Sequence, residues 1–208
     1  MEKVRRMVPG LEFSISYTTR QPRGNERNGV EYFFVSRAEF DRMVKRGEFL
    51  EYAEVFGNCY GTAKRFLDEA QQKGNDLLLD IDVQGAAQIK RKIAEAVSIF
   101  ILPPDRKTLE ARLRHRSLDR EDVIQRRLVT ASREIEKYRE YDYILINDRL
   151  EDSVEALKAI LVSERLKDSG STEAEMLAIA ERCRLSNVGE RLQPILASFT
   201  TAVAPGGR

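Results

Sequence analysis

The chain has 208 residues, 42% of them apolar, which is enough to bury one good core and gives no reason to expect a second full domain. Its 35 basic and 34 acidic side chains nearly cancel, which argues against a strongly basic surface for nucleic acid. Its apolar stretches are far shorter than a bilayer span and its first residues lack a signal-peptide pattern, so we expect a soluble cytoplasmic protein that binds no membrane.

The first predicted elements are short. Residues 2–10 read as the end of a helix that Pro9-Gly10 terminates. A strand is predicted at 30–35, then a helix at 39–46 preceded by a capping box, and then a strand at 49–55 that ends in a Gly57-Asn58 turn. These elements indicate a compact segment of mixed α/β structure.

From residue 77 onward, strands and helices alternate, as a parallel sheet flanked by helices requires. Nearly continuous apolar runs predict strands covered on both faces, at 77–81, 97–102 and 143–146. Apolar residues at helical spacing predict helices, at 84–93, 107–116, 121–138 and 152–167. The predicted fold class is therefore α/β.

The remaining residues, 168–208, offer no functional argument. A linker is predicted at 168–172, a short helix at 173–185 and a disordered tail at 202–208.

Cysteine and histidine are scarce. Cys59 and Cys183 lie far apart and match no metal-binding spacing, which indicates a reducing compartment rather than a disulfide-stapled secreted protein. The only histidine, His115, lies in an Arg-rich run and is expected to be a solvated helix position. A histidine-based triad and a multi-histidine zinc site are therefore excluded.

A candidate anion site lies at residues 14–23, SISYTTRQPR, where Arg20 and Arg23 stand three residues apart among hydroxyl side chains. The planar guanidinium matches phosphate oxygens bidentately, and the hydroxyls add neutral donors. These hydroxyl residues are Ser14, Ser16, Thr18 and Thr19. Taken alone, the segment is better explained as a polar strand edge followed by a Gln-Pro turn with solvated arginines.

Four further motifs follow in order: GVEYFF from Gly29, GEFLEY from Gly47, GNCYGT from Gly57 and LDIDVQG from Leu79. Together with the anion segment, they resemble guanylate kinase in order and in spacing, from about residue 13 to about residue 160. The resemblance implies a P-loop-kinase-like parallel sheet in a domain at 1–167. It also implies an inserted GMP-binding subdomain, at 13–75, and a helical lid, at 114–127.

The same resemblance implies the acceptor residues. Guanine presents a ring N–H and an exocyclic amine as adjacent donors, which Glu51 and Asp82 would read, while Ser16 and Thr62 add hydrogen bonds. The phosphate would be held by Arg20, Arg23, Tyr32 and Tyr60. Such a pocket should exclude adenine by a factor of about 10⁴. Individually, these residues could also be half-buried strand tyrosines and surface or strand-end carboxylates.

On the donor side, the resemblance implies that Arg112, Arg116 and Arg127 act on the phosphoryl group transferred from ATP. Arg112 and Arg116 are four residues apart and share a helix face, which also suits a solvated basic helix. Asn147 is a candidate contact for ATP. Asp80 is a candidate for binding Mg²⁺ through water, although it could instead tune the charge of a neighbouring carboxylate.

The implied activity is transfer of the terminal phosphate of ATP to GMP, with Mg²⁺, giving GDP and ADP in purine nucleotide metabolism. The alternative is a non-catalytic guanylate kinase-like module that recognises a phosphorylated partner. Glu51, Asp82 and the lid arginines favour the enzyme, because a phosphopeptide receptor needs none of them. Whether the protein is a monomer or a homodimer stays open.

The phosphate-cradling motif Gly-x-x-x-x-Gly-Lys-Ser/Thr does not occur in the 208 residues. Residues 24–29 have its glycine spacing, but Val30 and Glu31 follow, so this segment is predicted to be a turn. A parallel sheet without its central strand leaves unpaired backbone groups that cost about 1–3 kcal/mol each. We therefore expect the natural protein to be longer, which the intact mass of the endogenous protein would test; a stable, active monomer beginning at Met1 would contradict this expectation.

Overall fold

The computed structural model describes residues 2–116, 120–167 and 174–200. The chain forms two units, Met1–Ala96 and Val97–Arg208. Each unit combines parallel strand pairing with helices, so the predicted α/β class is confirmed.

The first unit has six strands and four helices. The strands are Leu11–Phe13 (β1), Tyr17–Thr18 (β2), Phe33–Phe34 (β3), Phe49–Val55 (β4), Asn58–Ala63 (β5) and Asp76–Leu78 (β6). The helices are Glu2–Met7 (α1), Arg37–Lys45 (α2), Lys64–Gln72 (α3) and Val83–Lys92 (α4). β1 and β6 pair in parallel, and the other four strands form a sheet of order β3-β2-β5-β4, so β4 is an edge strand.

The β4–β5 hairpin is the longest ladder of this unit. Its turn is formed by Phe56 and Gly57, with φ of 52° and 77°, one residue earlier than the predicted turn. Glycine adopts such a φ without strain, which explains its place in the turn. Beneath the hairpin, α2 packs its apolar face into a core formed by Phe40, Met43, Phe49 and Cys59.

Two strands of this unit are shorter than predicted, each for a local reason. The strand expected at 30–35 is reduced to β3, because the N–H of Gly29 (φ 77°) donates to the Tyr32 carbonyl at 2.8 Å and closes a turn before it. The strand expected at 77–81 ends at Leu78, where its ladder partner β1 also ends. Asp80 and Asp82 therefore lie in a loop beyond β6, and strand alternation does not relate them.

The predicted start of α2 is confirmed in part. Ser36 is the N-cap, and its Oγ accepts a hydrogen bond from the Glu39 N–H at 3.1 Å. The Glu39 carboxylate does not complete the capping box, because it pairs with Arg42 and Arg46 instead.

The second unit has two strands and five α-helices in its described residues. The strands are Ile99–Leu102 (β7) and Tyr143–Ile146 (β8). The α-helices are Arg106–Arg116 (α5), Glu121–Glu134 (α6), Leu150–Leu166 (α7), Ala174–Cys183 (α8) and Gly189–Thr200 (α9), and a 3₁₀-helix at Ile135–Glu140 follows α6. β7 and β8 pair in parallel over four residues each, which confirms the strand predicted at 143–146.

Helix α9 was not predicted, since Pro194 interrupts its helical pattern. Its apolar face nevertheless completes the core of this unit: Leu192, Ile195 and Phe199 pack with Leu102 and Ile144. The predicted linker at 168–172 and tail at 202–208 lie outside the described residues.

Three further predictions concern the two cysteines, His115 and membrane-spanning helices. Cys59 and Cys183 are free and buried, and burial raises the pKa of both thiols. His115 is exposed on α5, as predicted. Over the described ranges, no helix combines the length and apolar character needed to cross a membrane.

Candidate active site

A buried carboxylate marks the acceptor side of the candidate site. Glu51 lies on β4, is only 3% exposed and stands directly opposite Thr62 of β5. Burial raises the pKa of Glu51; Thr62 opposes this rise, and the nearby Asp82 adds to it. Because a buried charge needs compensating partners, this position suits a ligand that donates hydrogen bonds.

Two further hydroxyls, those of Ser14 and Thr62, are also buried. Ser14 Oγ has no hydrogen-bond partner among the described residues. Thr62 stands beside Glu51, whose pKa it lowers, so Thr62 is a second polar group that a ligand at this carboxylate could contact. Ser16, predicted for the same role, is half-buried, and its carbonyl accepts from the Phe33 N–H at 2.9 Å.

Asp82 occupies the N-cap of α4. Its Oδ1 accepts from the Gly85 N–H at 2.8 Å, and its Oδ2 accepts from Gln84 Nε2 at 3.0 Å. These bonds fix the carboxylate near Glu51, whose pKa it raises. Asp80, two residues earlier, is exposed. The structure thus brings Glu51, Thr62 and Asp82 into one neighbourhood.

Arg20 is held by Glu26, a residue that sequence reasoning missed. Nη1 and Nη2 of Arg20 donate to the two carboxylate oxygens at 2.9 Å each, and Nη1 also donates to the Gln21 carbonyl at 2.8 Å. The pair raises the pKa of Arg20 and lowers that of Glu26, so both stay charged. The available signal was a single acid among three arginines in the segment 20–27.

Two tyrosines complete this polar cluster. The Arg20 guanidinium lies 5.2 Å from the centre of the Tyr32 ring, and the rings of Tyr32 and Tyr60 meet edge to face at 6.0 Å. Burial raises the pKa of Tyr32, which keeps its phenol protonated and able to donate. Three of the four predicted phosphate-binding residues therefore lie together.

The fourth, Arg23, is exposed, and its backbone N–H donates to Glu26 Oε2 at 2.7 Å. Thr18 and Thr19, predicted as neutral donors for an anion, instead join this segment to β5. The Thr18 hydroxyl donates to the Cys59 carbonyl at 3.0 Å, and the Thr19 hydroxyl accepts from the Cys59 N–H at 2.9 Å.

The predicted donor-side residues belong to the second unit. Arg112 of α5 donates to the carbonyls of Asn147 and Asp148, at 2.7 and 3.0 Å, so the structure brings Arg112 and Asn147 together just after β8. Arg127 is half-buried on α6, and Arg116 is the last residue of α5. The predicted lid includes residues 117–119, which lie outside the described residues.

Helices α5 and α6 are tied together on either side of that segment by Arg114, which was not predicted. It donates to Glu110 at 2.8 Å and to Glu121 at 2.5 and 2.8 Å. The pair with Arg114 lowers the pKa of Glu121 to about 2.

An α/β fold with parallel strands, an arginine held beside two tyrosines, and a buried carboxylate near a helix N-terminus are typical of a nucleotide-binding transferase. A family model described as guanylate kinase matches residues 7–164. The chain belongs to the guanylate kinase family.

Individual relatives agree with this family. A guanylate kinase from Koribacter versatilis is 56% identical over 212 aligned residues, which cover 99% of this chain and 91% of that protein. A guanylate kinase from Geobacter metallireducens is 52% identical over 161 aligned residues, which cover 77% of this chain and 79% of that protein. The crystal structure of guanylate kinase from Anaplasma phagocytophilum is 36% identical, covers 80% of each chain and superposes with a TM-score of 0.67.

Proposed function

We propose that this protein transfers the terminal phosphate of ATP to GMP and produces GDP and ADP. The observation that carries the proposal is the buried Glu51 carboxylate opposite the buried Thr62, because guanine offers two adjacent donors that a carboxylate there would satisfy. The relatives, all named guanylate kinases, support it. The non-catalytic module is not favoured, since nothing in these names points to a binding protein.

On the acceptor side, we assign base recognition to Glu51, Asp82, Ser16 and Thr62. Phosphate binding is assigned to Arg20, Arg23, Tyr32 and Tyr60. The Arg20–Glu26 pair supports this division, because it fixes two terminal nitrogens of the guanidinium while its Nε–H takes no part in these bonds. A pre-oriented guanidinium loses less entropy when it binds an oxyanion.

On the donor side, we assign Arg112, Arg116 and Arg127 to the phosphoryl group in transfer, and Asn147 to ATP. Phosphoryl transfer depends on positioning and on neutralising charge, which arginines supply without covalent chemistry. The bond between Arg112 and the Asn147 carbonyl supports a common role for these two residues.

A nucleotide-kinase reaction generally uses a divalent metal, and we propose Mg²⁺. Proteins bind this ion through one or two carboxylates together with substrate phosphates and water. Asp80 fits that requirement, because it is an exposed carboxylate in the loop after a parallel strand. When bound, Mg²⁺ would neutralise charge on the nucleotide phosphates.

Within a kinase domain at 1–167, we propose that residues 13–75 form the GMP-binding subdomain and that residues 114–127 form the lid. We place the enzyme in the cytoplasm of a bacterium, where GMP and ATP are available, as its bacterial relatives suggest.

The test is ATP-dependent phosphorylation of GMP and of AMP by the protein expressed from its native gene. We expect GDP formation, with kcat/KM for GMP exceeding that for AMP by a factor of about 10⁴. Comparable use of AMP would overturn the assignment of the base-reading residues. Tight GMP binding without GDP formation would instead support the binding module.

A further inference from the structure

Helix α4 runs along the edge strand β4 and is fastened to its backbone by three side chains. Gln88 pairs with Tyr52 through two bonds: its Nε2 donates to the Tyr52 carbonyl at 2.7 Å, and its Oε1 accepts from the Tyr52 N–H at 3.3 Å. Lys92 donates to the Leu50 carbonyl, and Gln84 lies 3.5 Å from the Glu54 carbonyl. An edge that would otherwise be open is thereby covered.

The spacing of these contacts is regular. The helix residues are four apart, a rise of about 6.0 Å, while the strand residues are two apart, about 6.6 Å. The two repeats match closely enough for three contacts in succession. They therefore set the register of α4 against β4, with the first turn of α4 beside Glu51.

At this register the helix presents a glycine to the Glu51 carboxylate. A Cβ placed on Gly85 would lie 2.5 Å from Glu51 Oε2 and 3.1 Å from Glu51 Cδ. No heavy atom can occupy that position while the carboxylate stays where it is. The Gly85 N–H meanwhile bonds to Asp82, so the same residue borders both carboxylates.

We propose that Gly85 is a positioning residue for guanine recognition: by lacking a side chain, it lets the Glu51 carboxylate rest on the first turn of α4 beside Asp82. This inference rests on the proposed reading of guanine by Glu51. Burial raises the pKa of Glu51, while Lys92 opposes that rise and the first turn of a helix favours negative charge.

The substitution Gly85→Ala tests the proposal without breaking the fold. The nearest atom is the end of a flexible side chain, Ile81 Cβ is the next neighbour at 3.3 Å, the φ of Gly85 is not positive, and Ala favours a helix more than Gly does. The melting temperature should therefore not fall. Displacing the carboxylate by about 1 Å should raise the Kd for GMP roughly 10- to 100-fold.

The Kd for AMP serves as the internal reference, because AMP shares the phosphate but not the donor edge. We expect it to be unchanged in Gly85→Ala. Gly189→Ala is the matched control, since that position begins α9 and a Cβ there would meet no atom within 4 Å. An unchanged Kd for GMP would overturn the proposal, as would an equal loss for both nucleotides or a lower melting temperature, which would indicate a general structural role.

A double-mutant cycle separates this inference from the proposed function. In a Glu51→Gln background, Gly85→Ala should weaken GMP binding less than twofold, because the group that it displaces is already altered. A full additional loss would overturn the positioning role. If the unmodified protein binds GMP no better than AMP, the proposed function itself is contradicted, whatever the effect of Gly85→Ala.

Discussion

At the scale of single residues, the charge of Glu51 has opposite effects on the stability of the protein and on ligand binding. The folded protein gains nothing from burying its charge, whereas a ligand with adjacent donors needs that charge. Glu51→Gln should therefore raise the free energy of unfolding at pH 7 by about 1 kcal/mol and weaken GMP binding at least tenfold. Chemical denaturation and calorimetric titration would measure the two effects. Lower stability would show that Glu51 already has its partners within the protein.

The pH dependence has a definite sign. The pKa of Glu51 is raised in the folded protein, so the stability that its protonated form contributes is present at low pH and is lost as the pH rises through that pKa. The stability advantage of Glu51→Gln should shrink as the pH falls. Unfolding curves between pH 4 and pH 8 would measure it, and an advantage that grew on acidification would contradict the assignment.

Glu26 gives a prediction of another kind. In Glu26→Gln, the bidentate ion pair with Arg20 is replaced by a weaker hydrogen bond, so the guanidinium is less well fixed. We expect the Kd values for GMP and AMP to rise together, by roughly 3- to 10-fold, because the phosphate is common to both. A change confined to GMP would show that Glu26 acts on the base. Gly85→Ala and Glu26→Gln thus address the two ends of the same nucleotide.

The grouping of some site residues was predictable from the sequence, but their hydrogen-bond partners were not. Motif order singled out Arg20, Tyr32, Glu51 and Tyr60, and the structure places three of them in contact range of one another. The Glu26 pair depends on how the loop at 21–29 folds back. Sequence spacing alone does not specify the path of this loop.

At the scale of elements, apolar runs gave the positions of β6, β7 and β8, because buried strands need continuous apolar faces. Their ends were less predictable. β6 stops where β1 stops, and β3 begins only after the turn at Gly29, so each limit is set by a partner or a turn rather than by composition. Helix α9 was not predicted because Pro194 lies within it. Its apolar face is recognised only from its packing in the core of the second unit.

That helix supplies a prediction about stability. Leu192 is 2% exposed in the core of the second unit, so Leu192→Ala should lower the free energy of unfolding by about 2–5 kcal/mol. Leu177→Ala on α8 is the control, because its side chain is 41% exposed and should cost little. Urea denaturation of both variants would measure the difference. Equal losses would argue against α9 as a core element.

At the scale of the whole molecule, we propose that GMP binding depends on residues of the first unit and phosphoryl transfer on arginines of the second. Arg112→Ala should lower kcat by roughly 10²- to 10³-fold, the usual effect of losing one charge-stabilising group, while the Kd for GMP stays the same. Arg126→Ala is the matched control, since its side chain is 67% exposed and pairs only locally with Asp122. Steady-state kinetics with direct GMP titration would separate the two effects. Loss of GMP binding in Arg112→Ala would contradict this division.

The family match ends at residue 164, yet the folded unit does not. Tyr143 of β8 forms a backbone bridge with Arg184, its hydroxyl donates to Glu164, and the Arg106 N–H at the start of α5 donates to Ser198. A different C-terminal segment would therefore have to supply new partners for Tyr143 of β8 and for the backbone at the start of α5.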